Sequence, residues 1–186
     1  MRVDRDATLP AVGVAACSTV LLGLGGWLWW VTSGLGDARA VFLKSVIIGS
    51  TFSLMLWLVW LLIVYVLMER LARTQVRVDE LVRAAGFAAA PLGLGVLMVV
   101  PPISFGVGLV AVGAWLLFTQ SAIERVSGIS GGVPILANAA GFAAWAVGMA
   151  LLSNGAHPLA PGPFVAEAIW DAITSLDVAR AAVSGS

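Results

Sequence analysis

The chain has 186 residues, of which 60% are apolar and only 11% are charged, and its mean hydropathy is +1.01. A soluble domain carries about 25% charged residues, so this composition excludes a water-soluble globule. The ten Lys and Arg residues are balanced by ten Asp and Glu residues. Because no basic excess is left to displace counterions from phosphates, nucleic-acid binding is excluded as well. The composition predicts an integral membrane protein, with membrane lipids and other integral membrane proteins as its partners.

Long stretches without a charged residue predict the membrane spans, because a helix needs about 20 apolar residues to cross about 30 Å of hydrocarbon. These stretches are 7–36, 45–68, 84–123 and 126–166. The first predicts one span at about 10–31, and the second predicts a span at 45–68. The fourth predicts a span at 133–152, since the residues that follow are rich in Gly and Pro.

The third stretch is too long for a single span, because at 1.5 Å per residue it would form a helix of about 60 Å. Pro101 and Pro102 predict where it breaks. The first proline moves Val100 out of the helical region, and the second removes another backbone donor. A hairpin is therefore expected, with its spans at 84–100 and 103–123.

Two residues are expected to shape the first helix of this hairpin. Pro91 removes the backbone donor that would bond to the carbonyl of Phe87, so it predicts a kink or a hinge. Asp79 lies just before the apolar stretch and is well placed to cap the helix N-terminus.

The Lys and Arg residues predict the orientation, because positive charge collects on the cytoplasmic side of a membrane. With five spans, one side holds Arg2, Arg5, Arg70, Arg73, Arg77, Arg83 and Arg125, and the other holds Arg39, Lys44 and Arg180. The N-terminus is therefore expected in the cytoplasm and the C-terminal tail, 153–186, outside. Within that tail, 164–183 has the pattern of a helix lying on the membrane surface. The sequence predicts one all-helical membrane domain over 1–186, in the cytoplasmic (inner) membrane of a prokaryote.

No ionisable residue falls near the centre of a predicted span, which argues against proton-coupled transport and ion conduction. His157 is the only His and lies in the predicted outer loop, so a metal or haem site is not expected. Ser130 could act as a nucleophile only with His157 as its base, yet the two are predicted on opposite sides of the membrane. Cys17 is interpreted as a buried thiol. The sequence thus predicts no enzyme and no cofactor, with a bound lipid or pigment left open.

Small residues recur at four-residue spacing on two predicted spans, which is typical of closely packed membrane helices. They are Ala85, Ala89 and Gly93 on the third span, and Ala140, Ala144 and Gly148 on the fifth. Ala137 and Gly141 form a neighbouring stripe on the fifth span. These faces are expected to pack within the bundle, although a partner subunit remains the alternative.

Tryptophan side chains near the membrane centre are another unusual feature of the predicted spans. They are Trp57, Trp60, Trp115 and Trp145. An indole N–H in hydrocarbon needs a hydrogen-bond partner, so these positions are expected to contact another helix, a lipid or a ligand. Filling of the core and a groove for a ligand both remain open.

The polar segment 69–83 is the longest one between the predicted spans. It carries Arg70, Arg73, Arg77 and Arg83. Each arginine that meets anionic lipid headgroups contributes about 1 kcal/mol at the membrane surface. The alternative is that these arginines only set the topology.

The third to fifth spans resemble the Yip1 domain. The resemblance rests on LVRAAGFAAAP at 81–91, the break at Val100-Pro101, Trp115 and IERVSGIS at 123–130, and it covers about 69–152. It implies five spans with a cytoplasmic N-terminus. Eukaryotic members bind small GTPases through an N-terminal region with an Asp-Leu-x-Gly-Pro motif, which this chain lacks, and prokaryotic members are small membrane proteins without an assigned reaction.

These observations leave three functional hypotheses. The first is a non-enzymatic Yip1-like protein that organises membrane or partner proteins through its helix faces. The second is an accessory subunit of a larger membrane assembly, for instance an energy-converting complex, for which small-residue stripes and little soluble mass are suitable. The third is an intramembrane enzyme or transporter, which lacks the polar residues that its mechanism needs.

Overall fold

The structure is a computed structural model and describes residues 7–34 and 38–153. Over these residues the chain forms five helices long and apolar enough to span a membrane, and no strand. They are α1 (Thr8–Thr32), α2 (Ala38–Leu71), α3 (Val78–Val99), α4 (Pro101–Ser127) and α5 (Gly132–Ser153). The prediction of an all-helical protein with five potential spans is confirmed. His157 and the expected surface helix at 164–183 lie outside the described residues.

The start of α3 corrects one prediction. The helix begins at Val78, six residues before the expected span, and its N-cap is Arg77 in an extended conformation (φ −79°, ψ 122°). Asp79 is therefore not the cap but a residue of the first turn, together with Glu80. Carboxylates there interact favourably with the positive end of the helix dipole, which explains why the helix extends into this polar segment.

Helix α2 also begins earlier than expected and changes its pitch. It is α-helical over Ala38–Phe42, π-helical over Leu43–Gly49 and α-helical again over Ser50–Leu71. The π-helical segment packs on α1, where the Ser45 hydroxyl donates a hydrogen bond to the carbonyl oxygen of Gly23 at 3.0 Å. Hydroxyl-to-backbone bonds of this kind hold helices together in lipid.

Proline determines the shape of α3 and of the turn that follows. The helix is α-helical over Val78–Ala88 and 3₁₀ over Ala90–Val99. Pro91 lies at the start of the 3₁₀ segment. The sequence predicts a kink or a hinge here, and in the structure the helix changes from α to 3₁₀ at the position of the missing donor. Val100 is extended (φ −92°, ψ 103°) just before Pro101, as the proline pair predicts.

The helices pack as two pairs, which are joined by extensive contacts of α1 with α2 and also by α4. The α1 helix lies along α3, while α5 lies along α2, and α4 contacts both α3 and α5. Glycine permits the closest approach of α1 to α3, since a Cβ atom at Gly25 would overlap the backbone of Gly95. A Cβ atom at Gly86 would likewise lie 2.6 Å from the carbonyl oxygen of Ala11. All five helices contribute to the hydrophobic core, for instance Leu22 of α1 and Leu92 of α3, and its tryptophans come from α2, α4 and α5.

A topology reporter fused after Gly155 tests the orientation that the arginines predict. With five spans and a cytoplasmic N-terminus, we expect alkaline phosphatase at this position to be active and a fluorescent protein that folds only in the cytoplasm to stay dark. The same reporters fused after Ser130 should give the opposite result. A cytoplasmic signal after Gly155 would mean an inverted bundle or an even number of spans.

Candidate functional site: the tryptophan cluster and its polar neighbours

Four tryptophans from three helices are buried inside the bundle. They are Trp57 and Trp60 on α2, Trp115 on α4 and Trp145 on α5, and each is at most 1% exposed. The ring centroids of Trp60 and Trp115 are 4.8 Å apart, and those of Trp115 and Trp145 are 5.1 Å apart, both edge to face. This arrangement brings the positive edge of one ring against the negative face of the next. We call these four residues and Phe142 the tryptophan cluster.

Phe142 closes the tryptophan cluster on the α5 side. Its ring lies 5.5 Å from Trp60 and is stacked on Trp145 at 5.8 Å. Aromatic pairs of this kind are worth about 0.5–1.5 kcal/mol each beyond the area that they bury. The cluster therefore connects α2, α4 and α5 without any charged group.

Glycine at 141 allows α5 to approach the cluster. A Cβ atom at Gly141 would overlap the Trp60 ring and lie 2.6 Å from its Nε1. The buried stripe of α5 accordingly contains Ala137, Gly141, Trp145 and Met149. This stripe continues the neighbouring one that the sequence predicts at Ala137 and Gly141. On the predicted packing face, Ala140 and Ala144 are only half-buried.

The other small residues of the predicted faces lie at helix contacts. Gly148 is half-buried on α5, and a Cβ atom there would lie 2.7 Å from the Leu56 side chain of α2. On α3, Ala85 and Ala89 are buried, and a Cβ atom at Gly93 would lie 3.4 Å from Leu21 of α1. Sequence reasoning missed Gly86 and Gly95, which make the closer contacts to α1 although both belong to the same glycine-rich helix.

Only one indole N–H of the cluster has a hydrogen-bond partner. Trp145 Nε1 donates to the Ser53 hydroxyl of α2 at 3.2 Å. The Nε1 atoms of Trp57, Trp60 and Trp115 are buried without a partner among the described residues. The structure thus places all four tryptophans inside the bundle and packs them on neighbouring helices.

Two further polar side chains are buried inside the bundle, one on α4 and one on α5. Asn138 is 3% exposed, and its Nδ2 donates to the carbonyl oxygen of Leu116 on α4 at 3.1 Å. Thr119 is fully buried. Neither was singled out from the sequence, although a lone carboxamide in an apolar span is a signal for a contact between helices.

The four arginines of the polar segment have different surroundings. Arg77 forms ion pairs with Asp79 at 2.9 Å and with Glu80 at 3.1 Å, and Arg83 lies 3.6 Å from Asp79. Arg70 and Arg73 are exposed, and Arg73 has a positive φ of 53°. Exposed ion pairs of this kind contribute at most about 1 kcal/mol, so Arg77 stays accessible to a competing phosphate.

The described residues contain no group of three or more His, Cys, Asp or Glu residues that could hold a metal ion. Cys17 is exposed on the outside of α1, so the expectation of a buried thiol is wrong. The neighbouring Ser18 and Thr19 take the buried positions, because their hydroxyls can bond to backbone within the bundle.

A groove on the outside of the bundle lies between the 3₁₀ segment of α3 and the start of α4. Its volume is about 520 Å³, and its lining includes Leu97, Pro102 and Gly106, with every other lining residue apolar as well. A surface without hydrogen-bonding groups is suited to hydrocarbon.

Comparisons of the chain with protein-family models, with curated proteins and with solved structures found no match. The resemblance to the Yip1 domain therefore stays a prediction.

Replacing Ser53 with Ala tests the hydrogen bond of the cluster. We expect the free energy of unfolding to fall by about 1 kcal/mol, because Trp145 Nε1 would be buried without an acceptor. The measurement is unfolding by dodecyl sulfate in mixed micelles, followed by circular dichroism. Ser130→Ala, at an exposed position between α4 and α5, is the control and should change little. Equal effects of the two substitutions would contradict a role for Ser53 as acceptor.

Proposed function

We propose that this chain is a non-enzymatic integral membrane protein that organises membrane or partner proteins through its helix faces, as its Yip1-like sequence implies. The observation that carries the proposal is the chemistry of the interior. Among the described residues, the polar side chains that are buried as a whole are Ser, Thr and Asn only. Arg83 has buried guanidinium atoms, but it lies near the polar start of α3, 3.6 Å from Asp79. Proton relays and ion pathways in membranes are built from ionisable side chains that face the bundle interior. The contact between α2, α4 and α5 is instead made by the uncharged rings of the tryptophan cluster, which supports the proposal.

The outer surface supports the same proposal. Every helix presents large apolar side chains outward; examples are Leu62 at 59% exposure, Val110 at 62% and Leu151 at 68%. Such a surface is matched to lipid chains and to other membrane helices. The apolar groove beside Gly106 adds a concave site of the same chemistry. Location in the cytoplasmic membrane of a prokaryote is part of this proposal.

The arginines of the segment 69–83 give the proposed protein a second kind of lipid contact. Arg70 and Arg73 are exposed, which leaves their guanidinium groups accessible to anionic headgroups. We include these contacts in the proposal, together with weaker ones from Arg77 and Arg83, which lie close to acidic side chains.

An accessory subunit of a larger membrane assembly is the second candidate, and the positions of three glycines favour it. Gly106 and Gly113 are two turns apart on α4, and Gly13 lies on α1. An added Cβ atom at any of them would meet nothing within 4 Å. In lipid, glycine on an outer face allows another helix to approach closely.

Two sets of substitutions separate action through helix faces from catalysis. In a strain that lacks the protein, we expect Ser130→Ala and His157→Ala to complement any defect caused by its loss as well as the wild type does. Gly113→Leu should fail to complement that defect while the purified variant unfolds like the wild type, because its new side chain would project from the bundle. Loss of complementation by Ser130→Ala or His157→Ala would contradict the non-enzymatic proposal.

The same samples distinguish the two candidates. Extraction in a mild detergent followed by native mass spectrometry should give a complex of defined composition if the chain is a subunit. Gly113→Leu would then release the free chain. A protein that is recovered only as a free monomer would exclude the subunit hypothesis and leave the first candidate.

A further inference from the structure

We infer that a water molecule is bound between α4 and α5, where it bridges the side chains of Thr119 and Asn138. Thr119 is 0% exposed and Asn138 is 3% exposed. The Oγ1 atom of Thr119 and the Oδ1 atom of Asn138 are both buried without a hydrogen-bond partner. In lipid, a polar atom with no partner is costly, since bulk water is absent.

Among the described residues, the Thr119 hydroxyl is the only buried hydroxyl without a hydrogen-bond partner. A Thr or Ser hydroxyl within a helix usually donates to a carbonyl three or four residues earlier. Ser121 on the same helix does so to Leu117 at 3.1 Å, and Thr19 on α1 does so to Ala16 at 2.9 Å. Thr119 makes no such bond. Its hydroxyl is therefore left for a partner outside its own helix.

The contact of Asn138 with α4 lies three residues before Thr119. Asn138 Nδ2 bonds to the carbonyl oxygen of Leu116, and that carbonyl points along α4 toward the turn that contains Thr119. Thr119 also lies one turn from Trp115 on the same helix face, and Trp115 contacts Trp145 of α5. Asn138 therefore lies at the contact between α4 and α5, and Thr119 lies on the face of α4 that points into the bundle.

Water satisfies the chemistry of this site. Asn138 Oδ1 can only accept a hydrogen bond, whereas the Thr119 hydroxyl can donate and accept. A water molecule donates to Oδ1 and exchanges a second bond with the hydroxyl, and buried water needs two to four such partners. The near-complete burial of both side chains favours the smallest ligand.

Such a water molecule would strengthen the weaker contact of α5. This helix packs much more extensively on α2 than on α4. Between α4 and α5, the polar contact is the bond from Asn138 to Leu116, and the aromatic contact is that of Trp115 with Trp145. A bridging water adds a second polar contact there, at a site that the tryptophan cluster does not cover.

Replacing Thr119 with the isosteric Val tests the inference, because a bound water and an unsatisfied hydroxyl predict opposite changes in melting temperature. If water bridges the two residues, Thr119→Val should lower the melting temperature in detergent by about 2–4 °C, the equivalent of one hydrogen bond. Thr119→Ser should retain most of the wild-type stability because it keeps the hydroxyl. If the hydroxyl is unsatisfied instead, Thr119→Val removes a buried polar group and the melting temperature stays constant or rises, which would overturn the inference. Ser121→Ala is the matched control on α4.

Asn138→Leu and the double variant complete the test. Since one water serves both residues, the loss from Thr119→Val should be much smaller in the Asn138→Leu background than in the wild type. Equal losses in both backgrounds would overturn the bridge.

Magnetisation transfer from water to the Asn138 side-chain amide, measured by solid-state NMR in lipid, distinguishes water from a direct bond between the two side chains. The transfer should be present in the wild type and lost in Thr119→Val. Its absence in the wild type would overturn the inference.

Discussion

The packing of the Trp60 ring on Gly141 determines how α2, α4 and α5 fit together. Lipid chains are as apolar as leucine, so burial from lipid does little to hold membrane helices together, and shape and hydrogen bonds must do so. The absence of a side chain at Gly141 leaves room for the largest side chain of the genetic code, which is 0% exposed. Trp115 and Phe142 then pack against the same ring. The contact between the three helices therefore consists of aromatic rings packed on one another and on Gly141.

The other half of the bundle uses a different form of close packing. Between α1 and α3, small residues bring two backbones together, as at Gly25 and Gly95. Hydroxyl groups add bonds between the two halves, for instance from Ser50 of α2 to the carbonyl oxygen of Thr19 of α1 at 3.0 Å. In both halves the charged side chains stay at the helix ends. Dispersion, glycine contacts and a few neutral hydrogen bonds therefore hold the bundle together.

The existence of the spans could be predicted from the sequence because charge is excluded from hydrocarbon. The break after Val100 could be predicted because proline acts on its immediate neighbour. The first and last residues of the helices were harder to predict from the sequence. Helix α3 begins at Val78, within a polar segment, because the carboxylates in its first turn stabilise the helix N-terminus. The π-helical turn at Leu43–Gly49 depends on packing against α1, which no local pattern contains.

The packing face of α5 shows why the site was harder to predict than the fold. Almost all residues from 137 to 150 are small or apolar, so several stripes fit the same four-residue rule. Gly141, and not Ala140, lies on the packing face because the Trp60 ring of α2 occupies the space beside it. The two residues are about eighty positions apart in the sequence, so no local pattern predicts this contact. Asn138 could have been found as the only carboxamide of its span.

The most direct test of this account is a double-mutant cycle on Trp60 and Gly141, measured as the free energy of unfolding in mixed micelles. Gly141→Ala alone should cost about 1–3 kcal/mol, because the new methyl group overlaps a ring that its neighbours hold in place. In the Trp60→Phe background, where the ring is smaller, the same substitution should cost much less. An equal cost in both backgrounds, or a stable Gly141→Ala protein, would contradict the claim that this contact determines the packing of the core.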